Sequence, residues 1–151
     1  MAGIESVTKV SRDITDTTVI LAAQNADSGW PHPEDIRLVG SVLKISVSTP
    51  STPERDIYLS RPPGRRGFIN EERVREFMEN HGLEVVAPEQ LSLEEQFALF
   101  ASARTVVGAH GAALANLIFC QPHTRVLEVA LDSRAIQTYE CLAYYCELDY
   151  S

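Results

Sequence analysis

The sequence contains no apolar run long enough to cross a bilayer, and residues 1–16 lack the hydrophobic core of a signal peptide. From these two absences we expect a cytoplasmic protein without a membrane span. The three cysteines are odd in number and have no C-x-x-C spacing, which argues against a disulfide framework and a zinc site. The sequence also has neither a Walker loop nor a G-x-G-x-x-G fingerprint, so no generic nucleotide motif identifies it.

Acidic residues outnumber basic ones by 21 to 13, and the resulting net charge of −8 argues against a nucleic acid as a general partner. Six of the 13 basic residues nevertheless fall within one short window. They are Arg55, Arg61, Arg65, Arg66, Arg73 and Arg75. Arg73 and Arg75 lie inside a helix pattern, where pairing with neighbouring glutamates on a solvated face explains them. Arg61, Arg65 and Arg66 precede that helix in a loop, and they remain candidates for a local anion site.

Strand patterns alternate with helix patterns along the chain. Predicted strands occupy residues 18–23, 56–60, 83–87, 105–108, 125–130 and 148–151, and predicted helices residues 34–45, 112–119 and 135–147, with two more after Asn70 and Ser92. This alternation implies a mainly parallel sheet with helices on both faces. Because 151 residues can bury one core, we expect one compact domain, in which residues 1–53 pack on the same core as residues 54–151.

Local signals define two of the helices. Asn70 is a typical N-cap and Gly82 a typical stop, for a helix with the apolar face Val74, Phe77 and Met78. Ser92 and Glu95 form a capping box for a helix with the inward residues Leu93, Phe97, Phe100 and Ala101. On this second helix we expect Gln96 at the surface. In the predicted helix at 112–119, we expect the Asn116 side chain to hydrogen-bond a neighbouring loop.

The stretch 105–117 (TVVGAHGAALANL) indicates a strand, a tight glycine loop and a helix N-terminus. Such a junction presents backbone N–H groups and the positive end of a helix dipole, which suits an anion, most often a phosphate. A purely structural glycine turn is the alternative interpretation.

The carboxyl ends of parallel strands share one edge, where ligands bind. This rule brings the loop at 108–112 close to residues 60–61, 88–89 and 131–132. The amides of residues 110–113, with a guanidinium from Arg61 or Arg65, would hold an anion there. Glu89 and Glu128 could accept hydrogen bonds from the hydroxyls of an attached sugar or ribose, although Glu128 could equally be a structural acceptor. The pattern therefore favours a nucleotide-like ligand.

Three strings carry a family resemblance. They are SRPPGRRGFINEERV, GLEVVAPEQLSLEEQFALFASARTVVGAHGAALANLIFCQPHTRVLEV and YECLAYYCELDY. Together they resemble the carboxyl half of glycosyltransferase family 61, over residues 53–150 and loosely into the preceding helix. That family includes sugar transferases of glycoprotein and plant xylan synthesis and bacterial proteins of capsular polysaccharide synthesis.

The resemblance implies an inverting, metal-independent transferase with two Rossmann-type domains, whose carboxyl domain binds a nucleotide sugar such as a UDP-sugar. A glycan or a protein would be the acceptor. The absence of a D-x-D string agrees with a metal-free site. The residues of the implied diphosphate site are Arg61, Gly108, Ala109, His110, Gly111, Ala112 and Ala113. Glu89 and Glu128 occupy plausible positions for contacts with donor hydroxyls, Asn70 and Glu71 resemble a structural helix start, and His110 is also the candidate catalytic residue.

Two features depart from the family pattern. His123 stands where the family usually has glycine in an F-x-x-P-G-T turn, so a different turn geometry is expected. About fifty residues precede the matching region, too few for a second Rossmann domain. We therefore expect the general base to be missing and the chain to be an incomplete catalyst or a fragment. The alternative is a non-catalytic Rossmann-like module for binding or homo-oligomerisation.

Overall fold

The computed structural model describes residue 36 and residues 52–61, 68–129 and 138–151. Its strands are β1 (Arg55–Leu59), β2 (Glu84–Val86), β3 (Ala103–Ala109), β4 (Arg125–Val129) and β5 (Asp149–Tyr150). Its α-helices within these ranges are α1 (Glu71–Asn80), α2 (Leu93–Ala101) and α3 (Thr138–Tyr145), and 3₁₀ helices cover Pro88–Gln90 and Ala112–Phe119. No helix among the described residues is long and apolar enough to span a membrane.

The five strands form one parallel sheet in the order β2-β1-β3-β4-β5. This is the expected α/β, Rossmann-like architecture. The chain runs from β1 outward to β2 and then returns to the other side of β1 for β3. The strand order therefore reverses between β1 and β3, and an open α/β sheet binds ligands at the carboxyl edge of such a reversal.

The main core lies on the sheet face covered by α2, α3 and the second 3₁₀ helix. Its largest fully buried apolar side chains come from the strands and from these helices: Ile57, Phe100, Val106, Leu114 and Leu117. The 3₁₀ helix contacts both α2 and α3. Ile36, the one described residue of the predicted helix at 34–45, is helical, 6% exposed and part of the same core. The remaining predictions for residues 1–51 lie outside the described residues.

The segment Ala112–Phe119 is a 3₁₀ helix, although an α-helix is predicted there. The amide of Leu114 donates to the Gly111 carbonyl, which starts a three-residue repeat. Residues three apart lie directly above one another in a 3₁₀ helix. Leu114, Leu117 and Cys120 follow this spacing and are at most 1% exposed. This spacing places one apolar row of the segment in the core, where Phe119 is also buried.

The ends of α1 differ in part from the prediction. Asn70 precedes the helix, but its side chain makes no capping hydrogen bond, and its carbonyl instead accepts from the amides of Arg73 and Val74. At the other end, Gly82 has φ +81° and its amide donates to the Glu79 carbonyl, while the Leu83 amide donates to the Met78 carbonyl. This Schellman motif confirms the glycine stop.

Two predicted inward residues are exposed. Phe77 of α1 is 56% exposed, because α1 packs mainly against β2 at the margin of the sheet. Leu93 is 59% exposed, because it is the first residue of α2, and Leu99 is buried instead. The predicted capping box of α2 is present, with the Ser92 side chain accepting from the Glu95 amide and the Glu95 carboxylate accepting from the Ser92 amide.

The turn before β4 contains a residue with left-handed backbone geometry. His123 has φ +66°, a backbone conformation that glycine adopts without steric cost. Its amide donates to the Glu147 carbonyl at 2.8 Å, and this hydrogen bond fixes the turn. Histidine therefore occupies a backbone conformation suited to glycine in this turn.

Candidate functional site

The site lies where the sheet reverses between β1 and β3. Leu59 and Gly108 are in register on these neighbouring strands. β1 ends at Leu59, so Ser60 and Arg61 leave the sheet at the level of Ala109, where β3 still pairs with β4. The structure thus brings the glycine loop at residues 108–112 beside Arg61, as expected where the carboxyl ends of parallel strands share one edge.

The Arg61 guanidinium lies directly against Gly111. A Cβ atom built on Gly111 would be only 1.5 Å from Nη2 of Arg61 and 2.3 Å from its Cζ. Any side chain at this position would overlap the guanidinium, whereas the close contact is compatible with glycine. With glycine at residue 111, the guanidinium can lie directly against the loop at the carboxyl edge.

The backbone of Arg61 is held by a buried carboxylate. Glu71, the first residue of α1, is 7% exposed, and its Oε1 accepts from the Arg61 amide at 3.2 Å. The hydroxyl of Tyr58 donates to both oxygens of the same carboxylate, at 3.1 and 3.0 Å. The sequence marked Glu71 as a helix start but not as a buried acceptor. The signal in the sequence that could have pointed to Glu71 was the acidic first turn of this helix.

His110 is linked to the second predicted carboxylate, Glu128. Nδ1 of His110 contacts Oε1 of Glu128, and the Tyr150 hydroxyl donates to Oε2. The Glu128 side chain is 5% exposed and that of His110 is 30% exposed. Burial, followed by the hydrogen bond to Glu128, raises the pKa of Tyr150 well above its ordinary value of 10.0. Tyr150 therefore keeps its proton near neutral pH and acts as a donor.

The Glu128 contact agrees with the structural-acceptor interpretation, although its donors are a histidine and a tyrosine. Tyr150 was not predicted as part of the site. It comes from a two-residue strand near the end of the sequence, and β5 pairs with β4 so that Tyr150 is in register with Val126. Only this pairing reveals that its hydroxyl reaches Glu128.

The backbone of the loop is less open than predicted. The His110 amide donates to the Val129 carbonyl at 3.0 Å and so continues the sheet. Within the described part of the chain, the amides of Gly111, Ala112 and Ala113 have no backbone acceptor outside their own helix. An anion would thus meet the amides of residues 111–113 and not that of residue 110.

The other predicted site residues are placed differently. Gly108 and Ala109 are buried within β3, and a Cβ on Gly108 would be 3.2 Å from the Leu59 Cβ, so close strand packing explains this glycine. Glu89 is exposed on the 3₁₀ helix after β2, one strand away from the reversal. Arg65 and residues 131–132 lie outside the described residues.

A hydrogen bond between Asn116 and Gln96 links the second 3₁₀ helix to α2. The Asn116 side chain donates to Oε1 of Gln96 at 2.9 Å, and the Gln96 side chain donates to the Leu91 carbonyl at 3.1 Å. Gln96 is therefore a half-buried connector and not a surface residue. The pair fixes α2 against the 3₁₀ helix that follows the loop.

A second concave region lies away from this site. It is an open groove of about 390 Å³ between α1 and the opposite face of β3 and β4, and its apolar lining includes Phe77, Met78, Val107 and Leu127. Of the predicted site residues that the structure describes, none lines this groove. In the residues that the structure describes, no three His, Cys, Asp or Glu side chains converge as metal ligands would.

Fold and site together define an α/β protein with a parallel sheet and a cation at the reversal of strand order. The family model of glycosyltransferase 61 matches residues 15–127. Since this range covers most of the 151 residues, the chain belongs to the glycosyltransferase 61 family. The family model matches from residue 15 and ends within β4, whereas the resemblance seen in the sequence covers residues 53–150. None of the curated proteins matches the chain.

Proposed function

We propose that the chain is the donor-binding part of an inverting glycosyltransferase and that it holds the diphosphate of a nucleotide sugar between Arg61 and the loop at residues 110–113. The observation that carries this proposal is the Arg61 guanidinium lying on Gly111 at the reversal between β1 and β3. A guanidinium binds phosphate through paired N–H groups, and the loop amides add further donors.

Diphosphate binding of this kind would serve transfer by stabilising the leaving group. As the bond between the sugar and the diphosphate breaks, negative charge accumulates on the phosphate oxygens, and donors already in place stabilise that charge. Inversion follows from in-line attack by an acceptor hydroxyl on the opposite face of the sugar. That hydroxyl needs a base, which we propose is supplied from outside this chain.

Isothermal titration calorimetry with UDP, GDP and UDP-sugars tests donor binding. We expect one nucleotide class to bind, and Arg61→Ala to weaken it by about 10- to 100-fold, since a hydrogen bond to a charged group contributes about 1.5–3 kcal/mol. His110→Ala should also weaken binding. The matched control is Arg55→Ala, which removes an arginine at the amino end of the same strand, where it pairs with Glu84.

Two results would overturn the proposal. One is the absence of binding at millimolar concentrations of every nucleotide tested. The other is an affinity that neither Arg61→Ala nor His110→Ala changes, because binding would then occur elsewhere. A donor-hydrolysis assay on the pure chain addresses catalysis separately. A sustained rate from the monomer would contradict the proposed need for an external base.

A further inference from the structure

Glu128 connects three strands at the edge of the candidate site. It belongs to β4, while His110 follows β3 and Tyr150 belongs to β5. Both of its oxygens have a partner, and its side chain is 5% exposed. A carboxylate removed from water is stable only when hydrogen-bonded or paired with a charge. The three side chains therefore form one unit, which we name the His110 support.

The hydrogen bonds of the His110 support determine which ring nitrogen carries a proton. An ionised carboxylate only accepts, and Tyr150 already donates to Oε2. Nδ1 of His110 must then donate to Oε1. The other ring nitrogen, Nε2, lies on the opposite edge of the imidazole. The ring of Tyr139 on α3 packs against the imidazole, with the two ring centroids 5.3 Å apart.

We propose that Glu128 and Tyr150 are positioning residues, which hold the His110 ring by its Nδ1–H so that the imidazolium form of the ring donates its Nε2–H to the diphosphate of a bound nucleotide. The inference rests on the proposed function, because it assumes a diphosphate next to the loop. His110 adjoins Gly111, on which the Arg61 guanidinium lies, so an anion at that guanidinium is close to the histidine. Glu128 and Tyr150 themselves do not touch the ligand.

Nitrogen-15 NMR of the histidine rings tests the positioning without any ligand. We expect His110 in the wild type to carry its proton on Nδ1, with the signal assigned by its loss in His110→Ala. Glu128→Ala removes the acceptor and should shift the ring towards the Nε2–H tautomer. Glu128→Gln keeps an acceptor oxygen of similar size and should retain part of the Nδ1–H signal. A wild-type ring protonated on Nε2 alone would overturn the positioning.

Binding of UDP, measured by calorimetry, tests the consequence. Glu128→Ala should weaken binding about 10-fold, the effect of one charge-assisted contact, and Tyr150→Phe should weaken it less. Neither substitution should have a further effect in the His110→Ala background, because both act through that ring. Glu84→Ala is the control, since Glu84 pairs with Arg55 at the amino end of the sheet. Circular dichroism verifies that each variant is folded.

The outcomes separate this inference from the proposed function. If the wild type does not bind UDP or any other nucleotide but keeps its proton on Nδ1, the proposed function fails. If UDP binds and His110→Ala weakens binding while Glu128→Ala does not, the donor site stands and the positioning inference is refuted. If Glu128→Ala weakens binding equally in the wild type and in His110→Ala, Glu128 acts independently of His110, which also refutes it.

Discussion

Removing the Tyr58 hydroxyl should destabilise the protein and reduce its sensitivity to alkali. Tyr58 is 1% exposed, and its hydroxyl donates to both oxygens of Glu71, at 3.1 and 3.0 Å. In Tyr58→Phe the ring still packs, but the buried carboxylate loses one of its donors and keeps the Arg61 amide. A hydrogen bond to a buried charge contributes about 1.5–3 kcal/mol, so we expect a loss of about 2 kcal/mol.

For a chain of this length, 2 kcal/mol corresponds to a decrease in Tm of about 4–8 °C. Differential scanning calorimetry at neutral pH measures it. Tyr144→Phe is the matched control, because Tyr144 is 77% exposed and its replacement should leave Tm unchanged. An unchanged Tm in Tyr58→Phe would refute the reasoning, since the hydroxyl would then make no net contribution.

The same contact predicts the effect of alkali. Burial, followed by the Glu71 charge, raises the pKa of Tyr58 above its ordinary value of 10.0. The folded state therefore holds this proton more tightly than the unfolded state. Its contribution to stability is complete below pH 10.0 and is lost as the pH rises towards the folded pKa. Across this pH range, the free energy of unfolding measured in urea should decline less in Tyr58→Phe than in the wild type. Part of the decline should remain, because the pKa of Tyr150 is also raised.

Two further substitutions test the loop and the turn. Gly111→Ala should weaken UDP binding about 10-fold although Arg61 itself is unchanged. The new Cβ would lie 1.5 Å from Nη2 and would displace the guanidinium. UDP binding at the wild-type level would show that the guanidinium is not required at this position. His123→Gly should stabilise the protein by about 0.5 kcal/mol, because relief of the left-handed φ of +66° exceeds the entropy that glycine gains in the unfolded state. His123→Ala, which keeps a Cβ, should give no such gain in urea unfolding, and an equal gain from both would contradict the steric explanation.

Local signals were sufficient for most of the secondary structure. Three features depend only on neighbouring residues and can be predicted from the sequence: the capping box of α2, the glycine stop of α1 and the β-branched run of β3. The alternation of strands and helices likewise predicted the parallel sheet. It also placed Arg61 and the glycine loop at one edge, because parallel strands share the direction of their carboxyl ends.

Long-range packing decided what local patterns left open. The segment Ala112–Phe119, predicted as an α-helix, is a 3₁₀ helix that packs against α2 and α3. Phe77 became exposed because α1 lies at the margin of the sheet. Neither outcome follows from propensity, since both depend on which surface each helix meets.

That a glycine loop and an arginine share the carboxyl edge of a parallel sheet can be read from the sequence, because strand direction and turn chemistry are local properties. How the two meet depends on tertiary contacts. Gly111 lies against the Arg61 guanidinium across the strand reversal, and Glu128 lies between His110 and Tyr150. Contacts between residues far apart in the sequence depend on strand order and register, which no local pattern specifies.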